Sequence, residues 1–374
     1  MIKKRKAHRK SREGCVQCKE RHAKCNEVHP QCLQCKRANI SCSFSSPNLT
    51  VTPLNEDSLV DLELLEHWHR YPVTGDMSET TRQLQYDLVR LGFSHHYLLN
   101  GILGLTALQL YSEDQSQSKW YARAVAHHQA SITRARPHFQ SLDQTQHRAL
   151  LGFSAFASMY AVAEPPLRPA RVRSLQAQSD PVEELLQGLQ FSRSTAVFVR
   201  QSFSPMVISK SWILTKVGAN DQEVVQDLET RFPQLALLRG CIERWCEGRQ
   251  RVACLNAVEQ LFCRIATLSD NPEDPEAAKV IWGWGVEVDQ VFLDLCRARH
   301  AMALVILAHF TVLMGLYANH WCLRRWPGGL LEHIGQVLGD EWEDALRWPS
   351  NFIFGSATLA PWPATRSGLA YQDV

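Results

Sequence analysis

Six cysteines in the first 42 residues are the feature that most constrains how this chain can fold. They are Cys15, Cys18, Cys25, Cys32, Cys35 and Cys42, so the spacing C-x2-C-x6-C occurs twice with a period of 17 residues. Residues between the cysteines repeat as well, since Gln17 and Lys19 recur as Gln34 and Lys36. The segment is therefore an internal duplication that contains three thiols in each half.

This spacing predicts a metal centre. A C-x2-C pair brings two thiolates to one ion, and zinc prefers four ligands in a tetrahedron. Two zinc ions need eight ligand positions, which six cysteines supply if one thiolate from each half is shared. A disulfide framework is the alternative, but it needs an oxidising compartment, and residues 1–14 contain no apolar stretch typical of a secretory signal. We therefore expect two zinc ions per chain.

These residues resemble the binuclear zinc cluster of the fungal six-cysteine transcription factors. In that family the first and fourth cysteines bridge the two ions, and these positions correspond to Cys15 and Cys32. Pro30 lies where the family usually has a proline, in the loop between the halves. The resemblance implies a nuclear regulator of RNA polymerase II transcription that binds double-stranded DNA and reads a short G/C-containing site.

The segment from Cys18 to Cys25 corresponds, in that family, to a short helix whose N-terminal end approaches the major groove. The family's two base-reading positions fall on Arg21 and His22. Guanine offers two acceptors to an arginine, whereas a histidine is mostly neutral at pH 7. The family usually has lysine or arginine in place of His22, so we expect an altered DNA preference there.

Other basic residues are expected to contact DNA as well. Lys19 and Lys24 keep the first half of the cluster basic, and Lys19, Lys36 and Arg37 are interpreted as phosphate contacts that set position without specifying sequence. A basic arm precedes the cluster and consists of Lys3, Lys4, Arg5, Lys6, Arg9, Lys10 and Arg12. This arm is expected to contact phosphates and to act as a nuclear import signal.

Charge is divided unevenly along the chain. Residues 1–42 contain twelve Lys and Arg against three Glu, a net charge of +9, while the remaining residues carry −7. A small basic module joined to a mildly acidic body is typical of a nucleic-acid reader with a separate regulatory region. We therefore predict a zinc-cluster DNA-binding domain at 1–45, a linker at 46–57 and a large all-α regulatory domain at 58–374.

The start of the helical domain bears on dimerisation. Leu59, Leu62, Leu65 and Trp68 predict an apolar helix face, but Pro72 ends it within about two heptads. This length is too short for a stable coiled coil. A homodimer would therefore have to form through the helical domain itself.

Several blocks of the helical domain, in order, resemble the C-terminal domain of fungal sterol-uptake-control regulators. They include LELLEHWHRY, FSHHYLLNGILGLTALQLY, KWYARAVAHHQASI and RALLGFSAFASMYAVA, followed by MALVILAHFTVLMGLYANHWCLRRW. The resemblance implies an all-helical domain that can dimerise and that, in the sterol members, holds an apolar pocket for the ligand. The alternative is that these helices pack as a core and bind no ligand.

The most apolar stretch is residues 301–317, which we interpret as a buried core helix. A membrane span needs about 20 apolar residues, and this run has His309 in its middle, which we expect to pair with the backbone. The six remaining cysteines form no C-x2-C pair and are expected to behave as small buried hydrophobes. They are Cys241, Cys246, Cys254, Cys263, Cys296 and Cys322.

Two further function classes compete with DNA binding. The chain contains no G-x-S-x-G, H-E-x-x-H, glycine-rich phosphate loop or dinucleotide fingerprint, so we expect that it is not an enzyme. The alternative is a zinc-dependent protein-interaction module that does not bind DNA. Such modules need eight separate ligands, and besides the six cysteines this segment offers only His22 and His29.

Overall fold

A computed structural model describes residues 13–44, 55–73, 75, 78–139, 146–174, 180–202, 222–271 and 277–355. The chain divides into two compact units, residues 1–59 and 60–374. Within the described ranges every regular element is an α-helix or a short 3₁₀-helix, and no strand is present. The predicted basic arm, Lys3 to Arg12, and residues 46–54 of the predicted linker lie outside the described residues.

The predicted fold class is confirmed: a small cysteine-rich module is followed by a helical body. The module contains α1 (Val16–Glu20) and α2 (Leu33–Arg37). The remaining helices are α3 (Glu56–Arg70), α4 (Glu79–Gly92), α5 (His96–Glu113), α6 (Ser118–Ala135), α7 (His147–Ala163), α8 (Ala170–Arg173), α9 (Pro181–Ser202), α10 (Gln222–Arg231), α11 (Pro233–Trp245), α12 (Gly248–Asp270), α13 (Ala277–Glu287), α14 (Gln290–Arg297), α15 (Ala301–Gly315), α16 (Trp326–Leu338) and α17 (Glu343–Phe354).

Helix α15 is the centre of the second half of the body. Every residue from Met302 to Met314 is buried, because α12, α16 and α17 pack around it. His309 Nδ1 lies 2.8 Å from the carbonyl oxygen of Val305, so the predicted pairing with the backbone is confirmed. In the part of the chain that the structure describes, no helix is long and apolar enough to cross a membrane.

Helix α5 is the corresponding centre of the first half, and it packs against α4, α6 and α7. Close approach of α6 depends on Gly104, because a Cβ there would lie only 3.1 Å from the backbone nitrogen of His128. Helix α3 is joined to α4 by two reciprocal hydrogen bonds: Trp68 Nε1 donates to the carbonyl of Gln85, and Gln85 Nε2 donates to the carbonyl of Trp68. The first half is therefore held by both close helix packing and a buried polar pair.

The predicted apolar face of α3 is only partly correct. Trp68 is buried, but Leu59 and Leu62 are about half exposed, and Leu64 is buried in their place. The difference arises because an α-helix repeats every 3.6 residues, and the body covers the face that contains Leu64 and Trp68. The two exposed leucines do not belong to the core.

Helix α9 connects the two halves of the body. It packs against α7, α13 and α16, with Leu185, Leu186 and Leu189 fully buried. Arg193 donates from the same helix to the carbonyl oxygens of Val286 and Val288, at 2.8 and 2.5 Å. The cysteines of the body are buried or half-buried within helical packing, as expected for small apolar side chains.

Candidate metal centre and nucleic-acid interface

Each C-x2-C pair is placed by a short helix. Cys15 is the N-cap of α1 and Cys32 is the N-cap of α2, so Cys18 and Cys35 follow within the first turn of each helix. The backbone N–H of Cys35 donates to the sulfur of Cys32 at 3.3 Å. A helix that begins at the first cysteine therefore turns the second sulfur back towards it.

Four sulfurs converge in the middle of the module. Cys15 Sγ lies 3.7 Å from Cys32 Sγ and 3.6 Å from Cys35 Sγ, and Cys18 Sγ lies 3.6 Å from Cys32 Sγ. Ligand sulfurs around a tetrahedral zinc with bonds of about 2.3 Å are separated by about 3.8 Å. All four sulfurs lie within 4.8 Å of one another and all four residues are buried. Both the donor set and its spacing fit zinc.

Cys25 and Cys42 complete the set in equivalent ways. The backbone N–H of Cys15 donates to Cys25 Sγ at 3.5 Å, and that of Cys32 donates to Cys42 Sγ at 3.2 Å. The two donors are 17 residues apart and so are the two acceptors. The sequence repeat is therefore also a repeat in the structure, with the third cysteine of each half close to the first.

The two halves are interlocked by a second equivalent pair of contacts. The N–H of Val16, at the start of α1, donates to the carbonyl of Ser43 at 2.8 Å, and the N–H of Leu33, at the start of α2, donates to Asn26 Oδ1 at 2.9 Å. Each half thus supplies the acceptor for the helix of the other half. The two acceptors occupy equivalent positions, because Asn26 and Ser43 are 17 residues apart, although one is a side-chain amide oxygen and the other a backbone carbonyl.

The environments of the thiols differ. Burial raises the pKa of Cys18 to about 12 and also raises that of Cys35. Burial acts in the same direction on Cys32, but hydrogen bonds from the Cys35 backbone N–H and from neighbouring thiols outweigh it and lower the Cys32 pKa to about 6. The pKa of Cys15 is likewise lowered, because the hydrogen bond from the Cys18 backbone and those from neighbouring thiols outweigh burial. Cys15 and Cys32 therefore ionise more easily than Cys18 and Cys35.

All six residues predicted to contact DNA are exposed: Lys19, Arg21, His22, Lys24, Lys36 and Arg37. Their arrangement differs from the expected helix over Cys18–Cys25, because α1 ends at Glu20. The backbone N–H of Ala23 bonds to the carbonyl of Cys18, and that of His22 bonds to the carbonyl of Lys19. This pair of bonds is a Schellman motif, which closes a helix at its C-terminus. Arg21 and His22 therefore extend from the C-terminal end of α1 and not from its N-terminal end.

The two halves have similar backbones but different charges. Beyond α1 the chain presents Arg21 and Lys24, whereas the equivalent segment beyond α2, residues 38–41, contains no charged side chain. Basic residues of the second half, Lys36 and Arg37, lie within α2 itself. Within this module, therefore, only the first half has cationic side chains directly beyond the end of its helix.

Comparison with known proteins agrees with this geometry. Residues 13–50 match the family model described as the fungal Zn(2)-Cys(6) binuclear cluster domain. A Gibberella zeae protein described as a Zn(2)-C6 fungal-type transcription factor is 49% identical over 45 residues, which are 12% of this chain and 9% of that protein. An Aspergillus fumigatus protein described as the Zn(2)-C6 fungal-type transcription factor afumD is 31% identical over 127 residues, 28% of this chain and 34% of that protein.

The chain thus matches about a third or less of the length of these curated relatives. The matched domain binds two zinc ions through six cysteines, so the predicted cofactor is confirmed. The resemblance to sterol-uptake-control regulators finds no support in these descriptions and stays a prediction.

Proposed function

We propose that this chain is a nuclear, sequence-specific DNA-binding regulator of RNA polymerase II transcription. The observation that carries the proposal is the exposed cationic end of α1, held by a six-cysteine centre in which every cysteine except the half-buried Cys42 is buried. A guanidinium such as that of Arg21 can donate two hydrogen bonds to guanine in the major groove, which is wide enough for a protein element to enter. The descriptions of the two relatives as transcription factors support the same function and are consistent with a protein that is not an enzyme.

Within the centre, Cys15 and Cys32 are the shared ligands. Cys15 belongs to the first half, yet its sulfur lies at ligand spacing from Cys35 of the second half. The reciprocal contact joins Cys32 to Cys18 of the first half. A sulfur close to the pairs of both halves is suited to bridging two ions. Cys18 and Cys25 complete one site, and Cys35 and Cys42 complete the other.

Arg21 and Lys24 are the candidates for reading bases, because they follow the end of α1 and no equivalent cation follows α2. Lys19, Lys36 and Arg37 lie on the short helices and contact phosphates, which fixes position but carries no sequence information. The basic arm, residues 3–12, adds further phosphate contacts and serves as the nuclear import signal. These phosphate contacts make binding strongly dependent on salt.

The helical body regulates or pairs the DNA-binding modules. Its large buried core supports an independently folded domain, and homodimerisation through this body is the route to paired sites. A sterol-like ligand is the expectation from the family resemblance. It is tested by whether cholesterol raises the melting temperature of the body, because a ligand that binds only the folded state stabilises it.

The central experiment uses the zinc-loaded full chain and a random library of DNA duplexes. We expect selection of a short G/C-containing site. The affinity for this site should fall steeply between 50 and 200 mM salt, because a protein that makes about six to ten phosphate contacts loses roughly 10³–10⁵-fold in affinity over this range. A chain that holds two zinc ions but enriches no sequence would contradict DNA reading. The result would then favour the zinc-dependent protein-interaction module.

A further inference from the structure

A cavity of about 530 Å³ opens between α6, α7 and α9 of the helical body. This volume lies within the range of small-molecule sites, which are about 300–1,000 Å³. One end of the cavity is lined by charged side chains and the other by apolar ones. No feature of the proposed DNA-binding function uses this cavity.

The charged end is built around Arg168. Its guanidinium donates to both carboxylate oxygens of Glu164, at 3.0 and 2.6 Å, and to Glu184 at 2.8 Å. Tyr121 donates its hydroxyl proton to Glu164 at 2.5 Å. Most of the hydrogen-bonding capacity of Arg168 is therefore directed at the protein's own carboxylates and not at an incoming anion.

Two more carboxylates line the same end. Asp180 forms an ion pair with Arg299, and its Oδ1 lies 3.3 Å from His333 Nε2. Glu183 accepts a hydrogen bond from Gln187 at 3.1 Å and, among the residues that the structure describes, takes part in no ion pair. Four carboxylates thus face two guanidinium groups, and the charged end of the cavity retains a net negative charge.

The apolar end is open to solvent. Ile132 of α6 is 37% exposed and Phe191 of α9 is 43% exposed, and both line the cavity together with Ala157 and Ala161 of α7. The ring of His128 is stacked on that of Tyr160, with the ring centroids 3.7 Å apart. Burial lowers the pKa of His128 to about 4, so this wall of the cavity carries no positive charge at neutral pH. Large apolar side chains beside a concave polar surface are typical of an uncovered binding site.

We propose that this cavity binds an amphipathic organic cation, with an apolar body against Ile132 and Phe191 and a protonated amine facing Glu183. The net negative end disfavours carboxylate and phosphate ligands, because they would meet Glu183 and Glu184 at short range. It also disfavours a sterol, whose rings would desolvate carboxylates without supplying a charge to pair with them. This site is independent of the zinc cluster and of DNA binding.

The test compares three probes on the zinc-loaded full chain. Tryptamine supplies an aromatic body with an ammonium group, indole-3-propionate replaces the ammonium by a carboxylate, and cholesterol serves as the sterol. We expect millimolar tryptamine to raise the melting temperature of the helical body, and we expect neither indole-3-propionate nor cholesterol to displace tryptamine from this cavity. Displacement of tryptamine by either compound, or no shift with tryptamine, overturns the proposal.

Two variants locate the binding site. Glu183→Gln removes one charge with little change of shape and should weaken tryptamine binding by about fivefold or more. Ala161→Leu keeps every charge but fills part of the cavity, and should weaken binding as well. Glu243→Gln, an exposed charge on α11, is the matched control and should bind as the unmodified chain does.

Affinity is measured by calorimetry on each folded variant, so a change in stability is not mistaken for a change in binding. Equal affinities for the unmodified chain, Glu183→Gln and Ala161→Leu would place tryptamine elsewhere and overturn the proposal. DNA binding by the same variants should be unchanged without tryptamine. A failure of the DNA-binding proposal therefore leaves this test intact.

Discussion

His22 and Asn39 share the same backbone φ of 49°, each one residue beyond the C-cap of its short helix and 17 residues apart. This left-handed conformation is costly for most side chains, and Asn, Asp and His are several-fold enriched in it among residues other than glycine. The histidine that departs from the family pattern therefore satisfies a backbone requirement shared by the two halves. Its presence does not require a role in base recognition.

A substitution at His22 separates the backbone role from the DNA role. His22→Asn should keep the fold, whereas His22→Val should destabilise it by about 1–2 kcal/mol, because a β-branched residue is disfavoured in this conformation. Zinc binding and folding are coupled in small zinc modules. His22→Val should therefore lose its zinc at a chelator concentration about five- to thirty-fold lower than the unmodified chain requires. Lys24→Val, which is exposed and has an ordinary φ, is the control. Identical chelator profiles for His22→Val and His22→Asn would contradict the backbone role.

Zinc content should distinguish the shared ligands from the terminal ones. Cys32→Ser removes a ligand of both proposed sites and should leave little or no bound zinc. Cys42→Ser removes a ligand of one site and should retain about one ion of the two. Native mass spectrometry of the intact chain counts the ions, and Cys263→Ser in the helical body should still carry both. Equal losses in Cys32→Ser and Cys42→Ser would count against bridging by Cys32.

DNA recognition should respond differently to two exposed cations. Arg21→Ala should cost about 1–3 kcal/mol at the selected site and relax its sequence preference, as expected for a contact with guanine. Lys36→Ala should weaken binding to all sequences alike and reduce the slope of log K against log salt by about 1. Binding titrations on the selected site and on a scrambled duplex at several salt concentrations measure both effects. If Arg21→Ala weakened both duplexes equally, Arg21 would be a phosphate contact.

Two glycines should respond in opposite directions to the same substitution. A Cβ at Gly285 of α13 would overlap Leu189 Cδ2, which belongs to a fully buried side chain of α9, so Gly285→Ala should destabilise the body by about 1–3 kcal/mol. Gly240 on α11 is exposed, and a Cβ added there would meet no atom within 4 Å, so Gly240→Ala should stabilise by roughly 0.4–1 kcal/mol. Urea unfolding followed by circular dichroism gives both values. A stabilised Gly285→Ala would show that α9 and α13 are packed less closely than these distances require.

The buried His309 should make the stability of the body depend on pH. Burial lowers its pKa to about 4 from an ordinary value of 6.5. Between these values the unfolded chain binds a proton on this side chain that the folded chain does not. The free energy of unfolding should therefore decrease as pH falls from 6.5 towards 4, by up to about 1.4 kcal/mol per pH unit from this one group.

His309→Met should remove this contribution. The difference in the free energy of unfolding between the unmodified chain and this variant should change over the pH range from 6.5 to 4 and be constant above pH 7. Urea unfolding at a series of pH values measures the difference. His69→Gln, at an exposed position on α3, serves as the control. A constant difference across the range would show that His309 is protonated as easily in the folded state as in the unfolded one.

Local spacing predicted a good part of this molecule. The repeated cysteine pattern predicted the zinc centre, because a C-x2-C pair needs only one helical turn to bring its sulfurs together. The apolar run around His309 predicted a buried helix, because a helix that is apolar on every side must be covered on every side. The end of α1 was predicted less well, since hydrogen bonds to the carbonyls of Cys18 and Lys19 stop it at Glu20.

By itself the sequence determined the cysteine repeat, its need for two shared ligands, the charge difference between the two parts of the chain and the helical class of the body. These properties depend on residues that are near one another in the chain. The tertiary structure alone decided the exchange of contacts by Val16 and Leu33, the burial of Leu64 in place of Leu62, and the cavity that Ile132 and Glu183 line together. These relationships join side chains that are distant in sequence, and they arise only when close packing of the helices brings those side chains into contact.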